Sequence, residues 1–427
     1  MSETRIFFNF DLTADSHTLA SYRQRGGYHA LQKALKDMQP LDVENEVKAS
    51  GLRGRGGAGF PTGVKWSFVD KSSPVVYLCC NADEGEPGTF KDRWIFEHSP
   101  HQLIEGIQLA AYALRVRHAF IYIRGEFDLS LRRIREAIQE AREAGLVGDN
   151  ILDSRFSCDI IVHRGGGAYV CGEESSLISS LEGLKGYPRN KPPFPAVKGL
   201  YQAPTVINNV ETLSVIPWII SHSGAAYAAI GNEKNSGTRL FGISGHVNRP
   251  GLYERPTGYP LKRIIYDDCG GILGGKQLKA VIPGGSSTPI LLASEIEGIT
   301  LDAESMAQAG SMLGSGGVIV IAEGVCMVSL LQVLTRFYSH ESCGQCTPCR
   351  EGTNWIDRVI GRIVKGQGIK GDLEGLERVT AGIMGNTVCA LGDAASMPVQ
   401  SFIKKFRTEF EFYIEHGRSM FDGRLEI

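Results

Sequence analysis

What this chain of 427 residues lacks already excludes several classes of function. It has no block of basic residues and a formal net charge of −2, so nothing indicates binding to nucleic acid or to an anionic membrane surface. It also has no run of about 18 apolar residues, the length that a membrane-spanning helix needs. Its first residues lack the apolar core of a secretory signal peptide. We therefore expect a cytoplasmic protein.

The residues that are present have an ordinary globular composition, with 42% hydrophobic and 22% charged residues. This length predicts roughly three domains. Ten cysteines in a chain without an export signal predict a reducing compartment, where thiols bind metals rather than form disulfides.

Three of these cysteines lie close together, in Cys343-Gly-Gln-Cys346-Thr-Pro-Cys349, and Cys389 follows 40 residues later (389 − 349 = 40). A C-x-x-C-x-x-C triplet with one remote cysteine is typical of the thiolates that hold a [4Fe–4S] cluster. Structural zinc more often uses two separated cysteine pairs. The pattern favours an iron–sulfur electron relay, while zinc and inert buried thiols stay as alternatives.

A second unusual stretch is rich in glycine and covers residues 51–66. Gly54, Gly56 and Gly59 satisfy G-x-G-x-x-G, but no strand precedes them, so the usual dinucleotide-binding fingerprint is not met. Backbone N–H groups of such a loop can still surround a phosphate, and Arg53, Arg55 and Lys65 add positive charge. We predict a ligand loop, with a flexible surface loop as the alternative.

Strand-like and helix-like patterns alternate after this loop. Residues 75–80, 119–123 and 159–163 read as buried strands, and residues 100–117, 128–144 and 173–181 as helices. This order predicts a parallel sheet with helices on both faces. A ligand is then expected beyond the carboxyl ends of the strands.

Acidic and glycine-rich motifs stand at those strand ends. Asp83, Glu84, Glu86 and Glu174 would repel a phosphate, but they can accept hydrogen bonds from sugar or ribityl hydroxyls or from a ring N–H. Further on, residues 191–195 form a stiff segment that could present Phe194 for stacking. Asn208, Asn209 and Thr212 begin another helix, where they could serve a phosphate or simply cap the helix.

The pattern of the sequence changes twice more. After about residue 231, short strands at 241–247, 251–254, 280–283 and 318–322 and one helix at 261–267 predict a small α+β domain. The last hundred residues predict four helices, at 325–339, 351–365, 372–384 and 394–416. The cysteine triplet and Cys389 then lie in two connections of this helical region.

Four motifs together resemble one known family. They are Arg53-Gly-Arg-Gly-Gly-Ala-Gly-Phe-Pro-Thr-Gly63, Asn81-Ala-Asp-Glu-Gly-Glu-Pro-Gly88, Tyr169-Val-Cys-Gly-Glu-Glu174 and Glu341-Ser-Cys-Gly-Gln-Cys-Thr-Pro-Cys349. In this order they are similar to the NADH-binding flavoprotein subunit of respiratory complex I. Related subunits occur in NAD-linked hydrogenases and formate dehydrogenases. Longer relatives carry a fused thioredoxin-like or ferredoxin domain, which these motifs do not include, and this favours the complex I type.

The resemblance implies an architecture with four parts. A helical lead-in at residues 1–50 would precede an α/β, Rossmann-like domain with a parallel sheet at 51–230, which binds FMN and NADH. A small β-grasp (ubiquitin-like) α+β domain would follow at 231–323. A C-terminal four-helix bundle at 324–427 would carry one [4Fe–4S] cluster, held by Cys343, Cys346, Cys349 and Cys389.

The same resemblance assigns the site residues. The implied flavin contacts are Gly54, Gly56, Lys65, Asn81, Asp83, Glu84, Tyr169, Gly172, Glu173, Asn208, Asn209 and Thr212. Arg55, Gly57 and Gly59 complete the cofactor-binding loop. The implied contacts of the nicotinamide nucleotide are Phe60, Phe68, Glu86, Glu174, Lys191 and Phe194. Glu84 and Glu86 are the expected catalytic pair. Gly85 and Gly166 depart from the usual family residues, which could alter the flavin surroundings slightly.

The implied function is electron input. NADH would transfer a hydride to FMN, and single electrons would pass to the cluster, because a flavin can exchange both two electrons and one. The implied partners are a small thioredoxin-like [2Fe–2S] subunit and a larger multi-cluster iron–sulfur subunit, through which the chain would lie at the inner face of a membrane. One alternative is the same role in a hydrogenase or formate dehydrogenase. A remote one is a non-catalytic, zinc-stabilised nucleotide-binding module.

Overall fold

The computed structural model describes residues 4–421, so the outer ends of the predicted lead-in (1–3) and bundle (422–427) lie outside the described residues. The described residues form two compact units. Unit 1 consists of residues 4–85, 90–241 and 252–259, and unit 2 of residues 86–89, 242–251 and 260–421.

Unit 1 begins with three helices, α1 (Leu19–Gln24), α2 (His29–Asp37) and α3 (Pro40–Ala49). Helix α3 has proline at its first position, where the missing N–H costs no hydrogen bond, and the Asp42 carboxylate accepts from the Gln39 N–H at 2.8 Å. The helical character that the resemblance implies for the lead-in is present in these three helices. Helix α1 was not predicted, because it is short and polar.

The centre of unit 1 is a parallel sheet with the strand order β3-β2-β1-β4. Its strands are β1 (Tyr77–Ala82), β2 (His118–Ile123), β3 (Asp159–Arg164) and β4 (Thr205–Asn209). The three predicted strands and their parallel arrangement are confirmed. Strand β4 was missed because it is short and ends in Asn208 and Asn209, residues that are typical of a helix start.

Seven further helices belong to unit 1: α4 (Thr62–Ser67), α5 (Lys91–His98), α6 (Pro100–Leu114), α7 (Asp128–Glu143), α8 (Glu174–Leu181), α9 (Val210–His222) and α10 (Gly224–Ala228). A short β-ribbon pairs β5 (Gly231–Asn232) with β6 (Asn235–Ser236). Helix α6 is buried almost all round, and it shares one hydrophobic core with α9 and the sheet. The predicted α6, α7 and α8 are confirmed, whereas α4, α5 and α10 were missed.

A second sheet has the order β10-β9-β11-β7-β8. Its strands are β7 (Thr238–Gly245), β8 (Gly251–Pro256), β9 (Leu278–Ile282), β10 (Leu291–Leu292) and β11 (Gly317–Ala322). Strand β11 runs parallel to β7 and antiparallel to β9, and the accompanying helices are α11 (Leu261–Arg263) and α12 (Ala303–Gln308). The α+β character is confirmed, but the predicted helix at 261–267 is one helical turn followed by a π-helical turn, Ile264–Asp268.

Unit 2 ends in four helices, α13 (Met327–Glu341), α14 (Thr347–Val364), α15 (Asp372–Ile383) and α16 (Leu391–His416). Their apolar faces form a shared core that includes Leu331, Ile360 and Phe402. All four predicted helices are confirmed, but α14 begins four residues earlier than expected. Pro348 suits a first helical turn, so Cys349 lies inside the helix rather than before it. No helix within residues 4–421 is both long and apolar enough to span a membrane.

Candidate functional site

The glycine-rich loop follows helix α3, so the absence of a preceding strand is confirmed. Two main-chain bonds close the loop, because Gly54 N–H donates to Phe60 O and Thr62 N–H to Leu52 O, each at 2.8 Å. Gly57 and Gly59 have φ values of +121° and +65°, which residues with a side chain avoid. Apart from each glycine and its two chain neighbours, no atom of residues 4–421 lies within 4 Å of the position that a Cβ would take there. The outer edge of the loop is therefore open backbone.

The prediction that Arg55 adds positive charge for a ligand is wrong. Its side chain is 3% exposed, and Nη2 donates to Tyr227 Oη at 3.0 Å, Ser236 O at 2.9 Å and Thr238 O at 3.1 Å. The guanidinium therefore anchors the loop to the interior and supplies no charge to its outer edge. Thr212 has a similar role, because its hydroxyl accepts from the Arg55 backbone N–H at 2.9 Å.

The carboxyl ends of the parallel strands meet as predicted. Arg124 N–H, just after β2, donates to Ala82 O at the end of β1 at 3.1 Å, and Gly165 N–H, just after β3, donates to Ile123 O at 2.8 Å. The Asn81 amide donates to Gly172 O at 2.8 Å, which ties the end of β1 to the turn that precedes α8. The motifs after the three predicted strands thus lie at one edge of the sheet.

Two lysines and two glutamates form an ion-pair cluster at this edge. Lys65 Nζ lies 3.0 Å from Glu174 Oε2 and donates to Ile207 O at 2.9 Å. Lys191 Nζ lies 2.8 Å from both Glu173 Oε1 and Glu174 Oε1. Partial burial raises the pKa of Glu174, but the two ammonium groups outweigh it and lower the net pKa. The other Glu173 oxygen accepts from Ser175 and Ser176 N–H and caps α8.

Glu84 is buried and belongs to a charge cluster that was not predicted from the sequence. Its carboxylate accepts from Asp92 N–H at 2.9 Å and Arg93 N–H at 3.2 Å in the first turn of α5. Lys91, 1% exposed, pairs with Asp92 at 2.7 Å and with Glu211 at 2.9 Å. Burial, and then the charge of Asp92, raise the pKa of Glu84 to about 7. In this structure Glu84 therefore serves as a helix cap.

Both asparagines at the end of β4 are used within the chain. Trp66 Nε1 donates to Asn208 Oδ1 at 2.8 Å, and the Asn209 side chain caps α9 and donates to Asp92 Oδ2 at 2.6 Å. The capping alternative for Asn209 is thus confirmed. Lys91, Asp92 and Glu211 were missed because a buried lysine looks like an exposed one in a sequence. Only their positions indicated this cluster in the sequence. Lys91 and Asp92 follow the acidic motif, and Glu211 lies in the first turn of α9.

Three of the predicted aromatic contacts are exposed. Phe60 and Phe68 are 48% and 58% exposed, and their ring centroids lie 6.2 Å apart. Phe194 is 57% exposed. Exposed rings beside a polar edge are suited to stacking on a planar ligand. Tyr169 lies differently, with its ring close enough to Gly85 that a side chain there would contact it at 3.1 Å.

Glu86, unlike Glu84, belongs to unit 2. Its carboxylate accepts from Ser287 N–H at 2.7 Å and Ser286 Oγ at 3.3 Å, in the glycine turn after β9. The predicted catalytic pair is therefore divided between the two units, and both carboxylates are already hydrogen-bonded.

The predicted cluster ligands lie in two connections of the bundle. Cys346 is the N-cap of α14, Cys349 is buried in its first turn, and Cys343 and Cys389 are partly exposed. Burial is the main cause that raises the pKa of Cys349, and the charges of Cys346 and Cys343 add to it. Within residues 4–421 no three His, Cys, Asp or Glu side chains are arranged to hold a single metal ion, and none of the ten cysteines forms a disulfide.

These residues fit the two cofactors that the sequence implies. The open backbone at Gly57 and Gly59, next to the Lys65 ammonium, offers donors for a phosphate. Asn81 and Glu174 offer polar groups for sugar hydroxyls at the same edge. Cys343, Cys346 and Cys349 are the soft donors that an iron–sulfur cluster requires, and the first turn of α14 adds N–H groups and a positive helix end.

Comparison with known proteins gives matches along most of the chain. Residues 47–218 match the family model described as the Nuo51 FMN-binding domain, and residues 329–413 match the NADH-ubiquinone oxidoreductase-F iron-sulfur binding region. Residues 239–321 match the SLBB domain. The fold and the matched models define a flavoprotein that also has an iron–sulfur region. The predicted fold class and the predicted FMN and [4Fe–4S] cofactors are confirmed.

Two similar relatives define the family more narrowly. The F 2 subunit of NADH-quinone oxidoreductase in Rhizobium meliloti (strain 1021) is 52% identical over 99% of this chain and 100% of its own length. The F subunit of NADH-quinone oxidoreductase in Rickettsia bellii (strain OSU 85-389) is 51% identical over 97% and 99%. The chain belongs to the family of F subunits of NADH-quinone oxidoreductase.

A solved structure shares this fold. An NAD+-reducing [NiFe]-hydrogenase in the air-oxidised state matches 97% of this chain and 68% of its own chain, with 36% sequence identity and a TM-score of 0.82. The predicted relation to both complex I subunits and hydrogenase subunits is therefore confirmed.

Proposed function

We propose that this chain is the electron-input subunit of an NADH:quinone oxidoreductase of the complex I type. The observation that carries this proposal is the edge of the parallel sheet, where an open glycine loop, two lysines and two glutamates meet. Bound FMN would accept the two electrons of a hydride from NADH and release them singly, and a [4Fe–4S] cluster would accept one electron at a time. The residues bind and orient these groups.

The flavin nucleotide would lie along the glycine-rich loop and the strand ends. Gly57 and Gly59 offer backbone N–H groups to its phosphate, and Lys65 offers a positive charge. Asn81, Asp83, Tyr169 and Gly172 stand at the ends of β1 and in the turn before α8, where ribityl hydroxyls and the ring edge would need partners. Arg55, Glu84, Asn208, Asn209 and Thr212 hold this backbone in place, so their contribution to flavin binding is positioning.

The nicotinamide nucleotide would use the exposed groups. Phe60, Phe68 and Phe194 provide surfaces for stacking. Glu174 would accept hydrogen bonds from ribose hydroxyls, with Glu86 as a second candidate. Lys191 balances the charges of Glu173 and Glu174 when no nucleotide is bound. A carboxylate at the ribose also repels the extra phosphate of NADPH, so this arrangement favours NADH.

The cluster would be held by Cys343, Cys346, Cys349 and Cys389. The triplet supplies three thiolates next to the N-terminus of α14, whose dipole stabilises an anionic cluster. Cys389 follows α15 and supplies the fourth ligand. We place this centre after the flavin in the electron path.

The names of the relatives make them subunits of a larger assembly. We propose a small thioredoxin-like [2Fe–2S] subunit and a larger multi-cluster subunit as partners, and a peripheral position at the inner face of a membrane through them. A diaphorase role in a hydrogenase is the second candidate, favoured by the structural match to the NAD+-reducing hydrogenase. Co-purification from the native source with identification of every subunit distinguishes the two.

One experiment on the purified chain tests the proposed function. With flavin and iron bound, it should oxidise NADH with an artificial acceptor that takes electrons directly from a flavin, but show negligible quinone reduction. Adding the partner subunits should establish quinone reduction without changing the flavin spectrum. A colourless, zinc-containing preparation without NADH oxidation would refute the proposal. Sustained, inhibitor-sensitive quinone reduction by the single chain would show that the electron outlet is misplaced.

A further inference from the structure

A groove between helices α13 and α14 has a lining that the proposed function does not use. It encloses about 530 Å³. Its lining residues are Gln332, Arg336, Asp357, Arg358, Gly361, Arg362, Val364, Lys365 and Gln367. All of them belong to unit 2. Four of the nine carry a positive charge and one a negative charge, so the groove is strongly cationic although the whole chain has a net charge of −2.

Three of the four cations are not neutralised by the rest of the described chain. Arg336, Arg358 and Lys365 form no ion pair with any residue in 4–421, and Arg362 pairs with Asp372. Arg358 and Arg362 on α14 and Lys365 at its C-cap follow the i, i+4, i+7 spacing of one helix face, which extends over about 10 Å. Like charges at such spacing repel one another. An anion in the groove would remove this repulsion.

The floor of the groove also has unmet hydrogen-bonding capacity. Gln332 Nε2 donates to Asp357 Oδ1 at 2.6 Å, which leaves Gln332 Oε1 buried without a partner among the described residues. Within the same part of the chain, Arg362 Nε is buried without a partner as well. Each such group costs about 1–3 kcal/mol. Both atoms are closed to solvent, so a ligand in the groove reaches them only if the Gln332 or Arg362 side chain moves.

Gly361 allows a close contact between α14 and the Gln332 side chain of α13. A Cβ at this position would lie 3.0 Å from Gln332 Oε1, which is closer than an ordinary contact. Glycine inside a helix is less favourable than alanine by about 1 kcal/mol. Glycine in the middle of α14 therefore lets the Gln332 side chain of α13 pack directly against this helix.

We propose that the α13–α14 groove binds a polyphosphate anion, either free or carried by a nucleotide. Guanidinium groups form paired hydrogen bonds with phosphate oxygens, and three arginines on two facing helices can hold adjacent phosphates. The first lining residue on α14 after the cluster ligands, Asp357, follows Cys349 by eight residues, about 12 Å along the helix. The groove is thus a second anion site in the cluster-bearing unit.

The test uses the purified chain with flavin and cluster bound and with NAD+ at saturation, so that the dinucleotide site is filled. Isothermal titration calorimetry at low salt measures binding of inorganic tripolyphosphate and, separately, of ADP. We expect saturable binding of at least one, and weaker binding as salt is added. Tighter binding of ADP identifies a nucleotide site, and tighter binding of tripolyphosphate identifies a free polyphosphate site.

Two variants locate the site. The double variant R336Q/R358Q should weaken binding at least tenfold, whereas R132Q/R135Q should change it less than twofold. Arg132 and Arg135 are a matched control, because they are exposed on α7 and have no ion-pair partner within residues 4–421. G361A introduces a helix-favouring residue and should weaken binding, because its methyl group would displace the Gln332 side chain that lines the groove.

Several outcomes would overturn the proposal. They are the absence of binding of both compounds, equal losses in R336Q/R358Q and R132Q/R135Q, and unchanged binding in both R336Q/R358Q and G361A. Binding of a polyglutamate peptide without binding of either phosphate compound would also overturn it, in favour of an acidic protein partner.

Discussion

The predicted flavin edge of unit 1 and the cysteine connections of unit 2 differ in the interactions that stabilise them. At the flavin edge, the chain satisfies its own polar groups: Arg55 anchors the glycine loop, Asn208 accepts from Trp66, and Glu84 caps α5. In the cysteine connections, Cys343, Cys346 and Cys389 are partly exposed. The first region is therefore stabilised by hydrogen bonds within the chain. We expect the second to depend on the proposed cluster, because thiolate coordination itself supplies folding energy.

The largest expected effect concerns the predicted iron–sulfur cluster. Cys389→Ser removes one predicted thiolate, and we expect complete loss of the visible cluster absorption and of the paramagnetic signal of the reduced cluster. Flavin content should persist, and NADH should still reduce an acceptor that takes electrons from the flavin. Absorption and electron paramagnetic resonance spectra measure the change.

Cys326→Ser is the matched control, because Cys326 is a buried thiol outside the C-x-x-C-x-x-C motif. It should keep the cluster. An unaltered four-iron signal in Cys389→Ser would show that the fourth ligand is another residue.

On the flavin side, the largest expected effect comes from the buried lysine. Lys91→Met leaves Asp92 and Glu211 buried without their cation, and breaking such a buried pair costs about 3–5 kcal/mol. Burial alone lowers the pKa of Lys91, but Asp92 and Glu211 raise its net pKa, so the lysine is charged. Urea unfolding followed by tryptophan fluorescence should show the transition of unit 1 at lower urea.

The exposed Lys198 provides the comparison, since Lys198→Met should leave that transition nearly unchanged. A stable Lys91→Met variant with bound flavin would mean that the carboxylates take up protons instead, and that the site is not built around this charge.

Glu84 makes the stability of the flavin edge depend on pH. Its folded-state pKa is about 7 against an ordinary 4.5, so between these values the folded chain holds a proton that the unfolded chain has lost. The free energy of unfolding should therefore fall as pH rises from about 4.5 to 7, by about 3 kcal/mol in all. Thermal unfolding across this range should show a smaller decline in Glu84→Gln. Parallel pH profiles of the two proteins would rule out this contribution.

The smallest expected effect concerns cofactor choice. Glu174→Gln removes the charge that would face the 2′-phosphate of NADPH, and we expect the NADPH-to-NADH ratio of kcat/KM to rise about tenfold, or about 1.4 kcal/mol. Steady-state kinetics with both nucleotides measure the ratio. Glu182 pairs with Arg189 away from the lysine cluster, so Glu182→Gln should not change this ratio. If Glu174 and Glu86 variants both leave the ratio unchanged, other residues determine specificity.

Local patterns of the sequence determined most of the elements and the family. The helices of the bundle follow from apolar periodicity, the three central strands from short apolar runs, and the cysteine and glycine motifs are contiguous in the chain. Each of these signals lies within about twenty residues, where spacing alone decides which side chains share a face. The position of the acidic motifs could also be predicted from the order of the strands, because parallel strands bring their carboxyl ends to one edge of the sheet.

Only the tertiary structure decided what the charged and polar side chains do. Arg55 looked like a phosphate ligand in the sequence and is an internal anchor, and Glu84 looked like a catalytic carboxylate and caps a helix. Lys91 gave no signal beyond its position after the acidic motif, although it lies between two buried carboxylates. The same side chain binds a ligand, pairs internally or remains in water according to its burial. Burial depends on partners that are far apart in the sequence, such as Lys91 and Glu211, and no local pattern records it.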